Sequence, residues 1–424
     1  MPEIVSPSMP QARPGGQGLS PQRLAVVISH PIQHFVPLFV RLARAAEVEL
    51  KVFYCCDWGV REYADSGFGK SVAWNIPLLD GYDFEFLSIR RRPRSLGFFE
   101  IDNPLVAERL AAFASDAVWV HGYAHRTSWR VLRWARKNSA AVLYFGDSEL
   151  LSPRGHVAAM IKRIVLPRFF RQCDGFLTIG DNNEDYYRHY GVADAKMYRG
   201  AFPIDVDRFR NSINSLSADD RYRLRAERGL SADAVVVLFV GKLIDIKRPF
   251  DFVEAIARLQ NSTPRIEGLI VGSGPLESQI RRRIHELKLE DRIKMTGFVN
   301  QSEIPQMLWL GDILAMCSEK DPHPLAVSEA MSVGNAIVAS DRIGCVGPTD
   351  AARPGRNVLT YPCGDVESLA ARLQTLAVDT AQRESMRNES WELAQFQDVE
   401  AAAGAVIRFL QERGRRRNIV SPAM

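Results

Sequence analysis

Four side chains in the second half of the sequence have the chemistry to bind a phosphorylated sugar compound: Lys242, Lys247, Asp321 and Glu329. Both lysines follow the apolar run 235–240, and two fixed cations near a helix N-terminus make a site for a diphosphate. Carboxylates repel phosphate but accept hydrogen bonds from sugar hydroxyls. The combination therefore fits a nucleotide sugar, and the cations would stabilise charge on a departing diphosphate without a metal. The alternative for either lysine alone is a solvated surface charge.

The stretch 311–341 supplies the element that must position the two carboxylates. Ile313 to Cys317 is an apolar run typical of a buried strand, and residues 318–323 form a polar loop. A helix is predicted from Pro324 to Val333, where a Gly-Asn pair ends it. A second buried strand then begins at Ala336. This βαβ pattern leaves the free N–H groups of the helix start beside the loop, where they can hold an anion.

Similar short apolar runs recur along the chain and predict a parallel α/β architecture. They cover residues 24–29, 48–55, 117–120, 141–145, 175–180, 235–240, 269–271 and 293–296. Ligands of open α/β sheets bind at the carboxyl ends of such strands. Two doubly wound α/β units in tandem, with a cleft between their strand ends, are therefore predicted. In the tail, a helix is predicted over 366–378 and a helical run over 384–413.

The length of 424 residues is too great for one ordinary core and predicts two domains. Residues 1–21 are rich in Pro, Gly, Ser and Gln and are predicted to be a disordered leader. The first domain is predicted over 22–210 and the second over 211–390. The remainder, 391–424, is predicted to be a final helix with a basic tail.

Composition narrows the class of protein. Apolar residues make up 46% and charged residues 25% of the chain, as in soluble globular proteins. The net charge of +4 is small and gives no indication of a nucleic-acid partner. Six scattered cysteines without a C-x-x-C pair fit a reduced, cytoplasmic setting. No apolar stretch approaches the roughly 20 residues needed to span a bilayer.

Three weaker motifs are weighed against ordinary structural roles. The stretch GFGKS (67–71) resembles the end of a P-loop, but Ala64 replaces the first glycine, which favours a plain surface loop. The loop 272–275 lacks the third glycine of a dinucleotide fingerprint, although its glycines let backbone approach a ligand. Asp205 and Asp207 could hold a metal that bridges a diphosphate, but a turn at the domain junction is favoured.

Two features of the first half concern a second substrate or a surface. His121 ends the apolar run 117–120 and would face the cleft, either as a functional group or as a packed histidine. Residues 154–171 mix Arg and Lys with apolar side chains. They predict a helix that either covers the sheet or contacts a membrane surface.

A series of motifs in the second domain closely resembles the retaining glycosyltransferases of group 1 (glycosyltransferase family 4), which have the GT-B fold. In this sequence they are FVGKL (239–243) with Lys247, VGSGPL (271–276), GFV (297–299), DPHPLAVSEAM (321–331), ASD (339–341), GRNVL (355–359) and GDVESLA (364–370). The first domain is similar to the family more loosely, through HPIQHF (30–35) and WNIPLLDGY (74–82). The resemblance implies two Rossmann-like domains facing across a cleft, with the acceptor on the first domain.

The resemblance also implies roles for individual residues. Lys242 and Lys247 would bind the donor diphosphate, and Glu329 the nucleotide ribose. Asp321 stands where the family has a longer glutamate and would bind a donor-sugar hydroxyl. His121 would lie near the reacting carbon. The remaining predicted donor contacts are Gly274, Phe298, Val299, His323, Pro324 and Leu325.

The function implied is transfer of a sugar from a UDP- or GDP-linked donor to a glycan or lipid-linked acceptor, in polysaccharide or glycoconjugate biosynthesis. Neither a cofactor nor a metal is implied. We expect a cytoplasmic enzyme, peripheral at the inner face of the membrane if residues 154–171 contact lipid. The final helix is expected to cross back to the first domain. The alternatives are a nucleotide-sugar epimerase or hydrolase, and a non-catalytic sugar-nucleotide-binding protein.

Overall fold

The structure, a computed structural model, describes residues 21–60, 63–65, 67–72, 74–91, 93–151 and 155–420. Its core consists of two parallel β-sheets, each flanked by helices. Apart from Pro21, the predicted leader lies outside the described residues.

The first sheet has the strand order β5-β2-β1-β6-β7-β8-β9, and all its strands pair in parallel. Its strands are β1 (Gln22–Ile28), β2 (Val48–Tyr54), β5 (Asp83–Phe86), β6 (Ala117–His121), β7 (Ala141–Phe145), β8 (Gly175–Thr178) and β9 (Met197–Arg199). A separate hairpin joins β3 (Tyr63–Asp65) to β4 (Lys70–Val72). The helices of this domain are α1 (Val36–Ala43), α2 (Val106–Ala112), α3 (Arg126–Lys137), α4 (His156–Phe170) and α5 (Asp181–His189).

The second sheet repeats this arrangement with the order β12-β11-β10-β13-β14-β15. Its strands are β10 (Val235–Val240), β11 (Ile266–Val271), β12 (Ile293–Gly297), β13 (Ile313–Met316), β14 (Ala336–Ser340) and β15 (Val358–Tyr361). The helices are α6 (Val206–Asn211), α7 (Ala218–Glu227), α8 (Pro249–Arg258), α9 (Glu277–Glu286), α10 (Ile304–Trp309), α11 (Leu325–Ser332), α12 (Val366–Val378) and α13 (Thr380–Ala394). The last helix, α14, is Val399–Val420.

The apolar strands form two-faced cores because every second side chain points to the opposite face of a sheet. In β1, Leu24 and Val26 pack on one face, and Ala25 and Val27 pack on the other. The central strand β10 divides its side chains in the same way between two clusters. Both domains thus have the doubly wound architecture that the runs of apolar residues predicted.

Each strand order reverses direction at one place, between β1 and β6 in the first sheet and between β10 and β13 in the second. Loops leaving neighbouring strands at such a point diverge and open a crevice that binds ligands. Lys242 follows β10 and Asp321 follows β13, so both lie at the crevice of the second domain. In the first domain, His34 follows β1 and His121 ends β6.

The predicted helical run over 384–413 is helical over most of its length, but it consists of two helices with a break that was not predicted. Helix α13 ends at Ala394, a short 3₁₀ turn covers Gln395–Gln397, and α14 begins at Val399. The break lets the chain leave the second domain and return to the first. There α14 buries one face against α1, β8 and β9, with Val406 and Phe409 fully buried.

Two further differences concern element bounds. Val206 and Phe209 on α6 lie within the range predicted for the first domain, 22–210, but they are buried in the core of the second domain. Asp205, weighed above as a turn or metal residue, caps α6 by accepting a hydrogen bond from the backbone N–H of Arg208. Within the described ranges, every helix is too short or too polar to cross a bilayer.

Candidate donor-binding site

A cavity of about 490 Å³ lies between the two domains at their crevices. All of the predicted site residues except His121 and Gly274 line it. From the second domain these are Lys242, Lys247, Phe298, Val299, Asp321, His323, Pro324, Leu325 and Glu329. Residues from three loops and one helix of the second domain therefore converge on one volume, which local sequence patterns alone do not specify.

The glycine loop brings backbone against backbone at the floor of this cavity. A Cβ atom on Gly272 would lie 1.9 Å from the carbonyl oxygen of Gly241, and its φ of +144° also disfavours a side chain. Gly274 is half-buried, and a Cβ atom there would be 2.5 Å from the carbonyl oxygen of Leu243. Gly241 and Gly272, and not the predicted Gly274, line the cavity.

Lys247 ends a 3₁₀ turn and points its ammonium group at the carboxylate of Asp321, to which it donates a hydrogen bond. Both side chains are largely enclosed. Burial raises the pKa of the Asp321 carboxyl, and the charge and hydrogen bond of Lys247 oppose that shift. The cation and the carboxylate are therefore held at one point of the cavity wall.

Lys242 forms an ion pair with a residue of the other domain. Its Nζ lies 3.0 and 2.9 Å from the two carboxylate oxygens of Asp65, at the end of β3. Desolvation raises the pKa of Asp65, but the hydrogen bond and charge of Lys242, together with hydrogen bonds from the backbone N–H groups of Gly67 and Phe68, outweigh it, so the net pKa is lowered. The pair links the two domains beside the cavity.

Glu329 lies on α11 and is 8% exposed. Burial raises the pKa of its carboxyl to about 7, and the charge of Arg208 only partly offsets this. Arg208 is held by the backbone oxygen and side-chain oxygen of Gln301, at 2.7 and 3.2 Å. A buried carboxyl with spare acceptor capacity at a cavity wall is suited to bind a pair of hydroxyls.

Helix α11 begins one residue later than predicted. Pro324 is its N-cap with extended backbone (ψ 119°), and none of the side chains that the structure describes caps the helix. The backbone N–H groups of Leu325 and Ala326 therefore stand at the cavity without a capping acceptor, next to the positive end of the helix dipole. This arrangement is suited to an anionic group.

Two histidines from different domains approach each other across the aromatic ring of Phe202. The ring of His34 lies 4.8 Å and that of His323 lies 4.9 Å from it. Burial lowers the pKa of His34 to about 3 and that of His323 to about 4, so both are neutral. Both ring nitrogens of His34 lack hydrogen-bond partners among the described residues, and Nε2 of His323 lies 3.9 Å from the carboxylate of Asp350. Both histidine side chains line the cavity.

His121 ends β6 as predicted but is packed between Phe35 and Phe145, at ring distances of 5.1 and 4.9 Å. Burial lowers its pKa to about 3, so the imidazole is neutral. Its Nδ1 has no hydrogen-bond partner in the described part of the chain. His121 is not among the residues that line the cavity.

Sequence reasoning missed several residues of the cavity wall. They are Gln33, His34, Phe68, Trp74, Phe202, Gln301 and Ile304. His34 stands in the HPIQHF segment that carried a family resemblance, which was the available signal. The GFGKS stretch was predicted to be a plain surface loop, and that is wrong, because Phe68 lies against the second domain. Among the described residues, no group of three or more His, Cys, Asp or Glu side chains is arranged to hold a metal.

The paired Rossmann-like domains and the cleft define the class of protein as one with the GT-B architecture. The structure of HepE from Anabaena, in complex with UDP, superposes with a TM-score of 0.71 at 18% identity, covering 92% of this chain and 100% of that one. Another structure of that protein holds UDP-glucose. The predicted GT-B fold is thereby confirmed.

The sequence of the second domain is similar to a known family. Residues 220–392 match the family model described as glycosyl transferases group 1.

Curated relatives match a smaller share of this chain than the HepE structure does. The alpha-D-kanosaminyltransferase of Streptomyces kanamyceticus is 25% identical over 55% of this chain and 59% of its own length. The amylovoran biosynthesis glycosyltransferase AmsK of Erwinia amylovora is 28% identical over 64% of each chain. The D-inositol 3-phosphate glycosyltransferase of Streptomyces bingchenggensis is matched over 43% of its length, so the chain spans about half the length of such relatives.

Proposed function

We propose that this protein is a retaining glycosyltransferase of family 4. It would move a sugar from a UDP- or GDP-linked donor to a glycan or lipid-linked acceptor, in cell-surface polysaccharide or glycoconjugate biosynthesis. The observation that carries the proposal is the convergence of Lys242, Lys247 and the buried Glu329 on one interdomain cavity. The group 1 family match of the second domain and the names of its relatives support it.

The residues of the cavity wall bind different parts of the donor in this proposal. Lys242 and Lys247 bind the diphosphate and stabilise the negative charge that grows as the bond from the anomeric carbon to phosphate breaks. The free N–H groups at the start of α11 add to that stabilisation. Glu329 accepts hydrogen bonds from the ribose hydroxyls, and Asp321 from a hydroxyl of the transferred sugar.

Retention of configuration requires the acceptor oxygen to form its bond on the face that the diphosphate leaves. The proton of the acceptor hydroxyl then passes to an oxygen of the departing phosphate, which balances the step without a metal. In this proposal the neutral His121 serves as a hydrogen-bonding group near the reacting carbon. The enzyme would need neither cofactor nor metal.

The donor-site proposal is tested by titrating UDP-, GDP- and ADP-sugars while following thermal unfolding and release of free nucleotide. A ligand present at a hundredfold its dissociation constant stabilises the folded state by roughly 2.7 kcal/mol. We expect a UDP- or GDP-sugar to raise the melting temperature. Absence of a shift with every nucleotide sugar would refute the donor site.

Two alternatives are separated by product analysis. An epimerase leaves an isomerised nucleotide sugar intact, and a hydrolase releases free sugar without joining it to an acceptor. A non-catalytic binding protein shows the thermal shift without any product. Asp321, one methylene shorter than the family's glutamate, is the residue whose exchange to Glu would be expected to change donor-sugar preference.

The acceptor side carries a surface suited to a membrane. On α4, the apolar side chains of Val157, Met160, Ile161 and Ile164 are 68%, 59%, 53% and 53% exposed. Their spacing places them on one helix face, whereas Leu166 and Phe169 on the other side are buried. An exposed apolar stripe of this kind is uncommon on a monomer and marks an interaction surface.

The charges around this stripe favour an anionic phospholipid bilayer as its partner. Residues 156–171 contain no Asp or Glu, and their basic side chains are Lys162, Arg163, Arg168 and Arg171. The ammonium of Lys162 also lies 5.9 Å from the ring centroid of Tyr123. Tyr123 stands in the loop that follows His121. This contact places α4 beside the loop that follows β6. We propose peripheral binding at the inner face of the cell membrane.

Flotation with vesicles of phosphatidylglycerol and phosphatidylcholine tests this contact. We expect wild-type protein to float with the anionic vesicles, and the triple variant Met160→Ser, Ile161→Ser, Ile164→Ser to remain in the lower fractions. The exposed Tyr222→Ser on α7 serves as the matched control. Equal flotation of the triple variant would refute the lipid contact. So would a change in oligomeric state without vesicle binding, because it would assign the stripe to a second copy.

A further inference from the structure

The hairpin β3–β4 belongs to the first domain but lies against the glycine loop and strand end of the second. The side chain of Ser273 donates a hydrogen bond to the backbone oxygen of Phe68, at 2.9 Å. Asp65 pairs with Lys242 as described. A Cβ atom on Gly67 would come within 2.6 Å of the Lys242 side chain, so the lysine packs directly on the hairpin. The contact thus involves both side chains and backbone.

Three aromatic rings meet where the hairpin contacts the second domain. Phe68 stands edge-on to Phe298, with ring centroids 5.0 Å apart, and Trp74 lies 6.3 Å from Phe298. All three side chains line the interdomain cavity. Two rings from one domain and one ring from the other therefore form a partly exposed apolar wall.

Polar contacts hold this wall in place. The side-chain amide of Asn75 donates to the hydroxyl of Ser302 at 2.6 Å, and the backbone N–H of Asn75 donates to Asn300 at 3.2 Å. Trp74, next in the chain, is thereby fixed beside the start of α10. The ammonium of Lys70, an exposed residue, lies over the ring of Phe298, 4.2 Å from the ring centroid. Lys70 can move away because its side chain is long and flexible.

We propose that Phe68 and Trp74 complete the nucleobase-binding surface of the donor site, so that both domains recognise the nucleotide. The planar, apolar ring faces provide what base stacking needs. Their position also fits, because the ammonium of Lys242 lies 4.7 Å from the centroid of the Phe68 ring. In a nucleotide the base is joined to the diphosphate through one ribose, so a base can reach this wall from a diphosphate bound at Lys242. The inference rests on the proposed donor site.

The assignment makes base recognition depend on closure of the two domains. A nucleotide bound to the second domain alone would have Phe298 as its aromatic contact, whereas the closed arrangement adds Phe68 and Trp74. The two first-domain residues should therefore contribute to the affinity for a base-containing ligand and not to that for the diphosphate alone.

The experiment compares calorimetric titrations of UDP, GDP and inorganic diphosphate into wild-type protein and the Phe68→Ala and Trp74→Ala variants. Loss of a base–aromatic stack is expected to weaken binding of the preferred nucleotide roughly 5- to 150-fold. Binding of inorganic diphosphate should stay within about twofold. The exposed Phe99→Ala is the matched control, and thermal unfolding verifies that each variant is folded.

Three outcomes are distinguished. Nucleotide affinity that is unchanged in both variants overturns the base-wall assignment. Equal weakening of nucleotide and inorganic diphosphate also overturns it, because the hairpin would then act only on the shape of the site. Failure of wild-type protein to bind any nucleotide refutes the proposed function itself.

Discussion

The ammonium group of Lys247 donates a hydrogen bond to the carboxylate of Asp321, although 74 residues separate them in the chain. The β10–α8 loop and the β13–α11 loop bring them together because β10 and β13 are neighbours in the second sheet. Asp321 compensates the charge of Lys247 in the structure, and Lys247 offsets the desolvation of Asp321. A diphosphate arriving at Lys247 therefore meets a cation that is already oriented.

Replacing Lys247 with Ala should abolish most turnover while leaving the protein folded. The change removes a cation that stabilises the departing diphosphate, and loss of one such group typically costs about 100- to 1,000-fold in turnover. Steady-state transfer assays with saturating donor measure it. Lys320→Ala, at an exposed neighbouring position, should behave as wild type. Wild-type turnover of Lys247→Ala would remove this residue from the proposed mechanism.

Replacing Asp65 with Asn should raise the affinity for inorganic diphosphate. Asp65 pairs with Lys242, so its negative charge both competes with and repels an incoming anion. Charge pairs near a protein surface interact with energies of a few kcal/mol at most, and screening reduces this. We expect a rise of about threefold to tenfold at low salt, measured by calorimetry, and a smaller rise at high salt. Asp80→Asn, outside the cavity wall, is the control. Weaker binding in Asp65→Asn would mean that Asp65 instead holds Lys242 in position.

The titration of Glu329 should make stability depend on pH. Its folded-state pKa is raised from 4.5 to about 7, so the folded protein binds this proton more tightly than the unfolded chain does. The stabilisation is complete below pH 4.5 and is lost as the pH rises through about 7. Its full size is on the order of 3 kcal/mol.

Denaturant unfolding between about pH 5 and 7.5 measures this contribution as a difference between variants. Glu329→Gln carries no titrating group and should lose less stability than wild type as the pH rises. Glu392→Gln, at an exposed position on α13, should retain the wild-type dependence. Parallel curves for wild type and Glu329→Gln would contradict the raised pKa.

Replacing His121 with Ala should reduce turnover without weakening donor binding. The histidine lies outside the cavity that the donor would fill, on the first-domain side. Loss of one hydrogen-bonding group that acts in the transition state typically lowers turnover by about 100-fold or more. Transfer assays and nucleotide titration separate the two effects. His189→Ala, exposed at the end of α5, is the control. A loss of donor affinity as large as the loss of turnover would assign His121 a structural role.

Replacing Phe409 with Ala should destabilise the protein by about 3 to 5 kcal/mol, because the ring fills a closed space between α14 and the first sheet. Phe409 is fully buried, and its ring centroid lies 5.3 Å from that of Tyr198. A Cβ atom on Gly175 would lie only 2.5 Å from the Phe409 ring. Phe396→Ala, 56% exposed, should change stability by less than about 0.5 kcal/mol. Denaturant unfolding compares the two variants with wild type. A midpoint of Phe409→Ala similar to that of wild type would show that the packing of α14 contributes little to stability.

Much of the second domain was predictable because its signals are local. The sequence between β13 and β14 contains a buried strand, a helix start at a proline and a Gly-Asn stop, and the structure has these elements within one or two residues. Helix 366–378 was predicted with its observed bounds. The parallel sheets follow from continuous apolar runs, because strands buried on both faces have no polar side.

The sequence by itself determined the α/β class and the motifs by which the second domain resembles a known family, and it named side chains that share one cavity wall. Only the tertiary structure decided what stands opposite them. Asp65 and Phe68 lie in a short hairpin without apolar periodicity, and their partners Lys242 and Phe298 are distant in the chain. The break between α13 and α14 was equally hidden, because it results from the passage between domains and not from local propensity. Contacts between domains depend on how the surfaces of two folded domains pack together. The spacing of residues within either segment does not specify that packing.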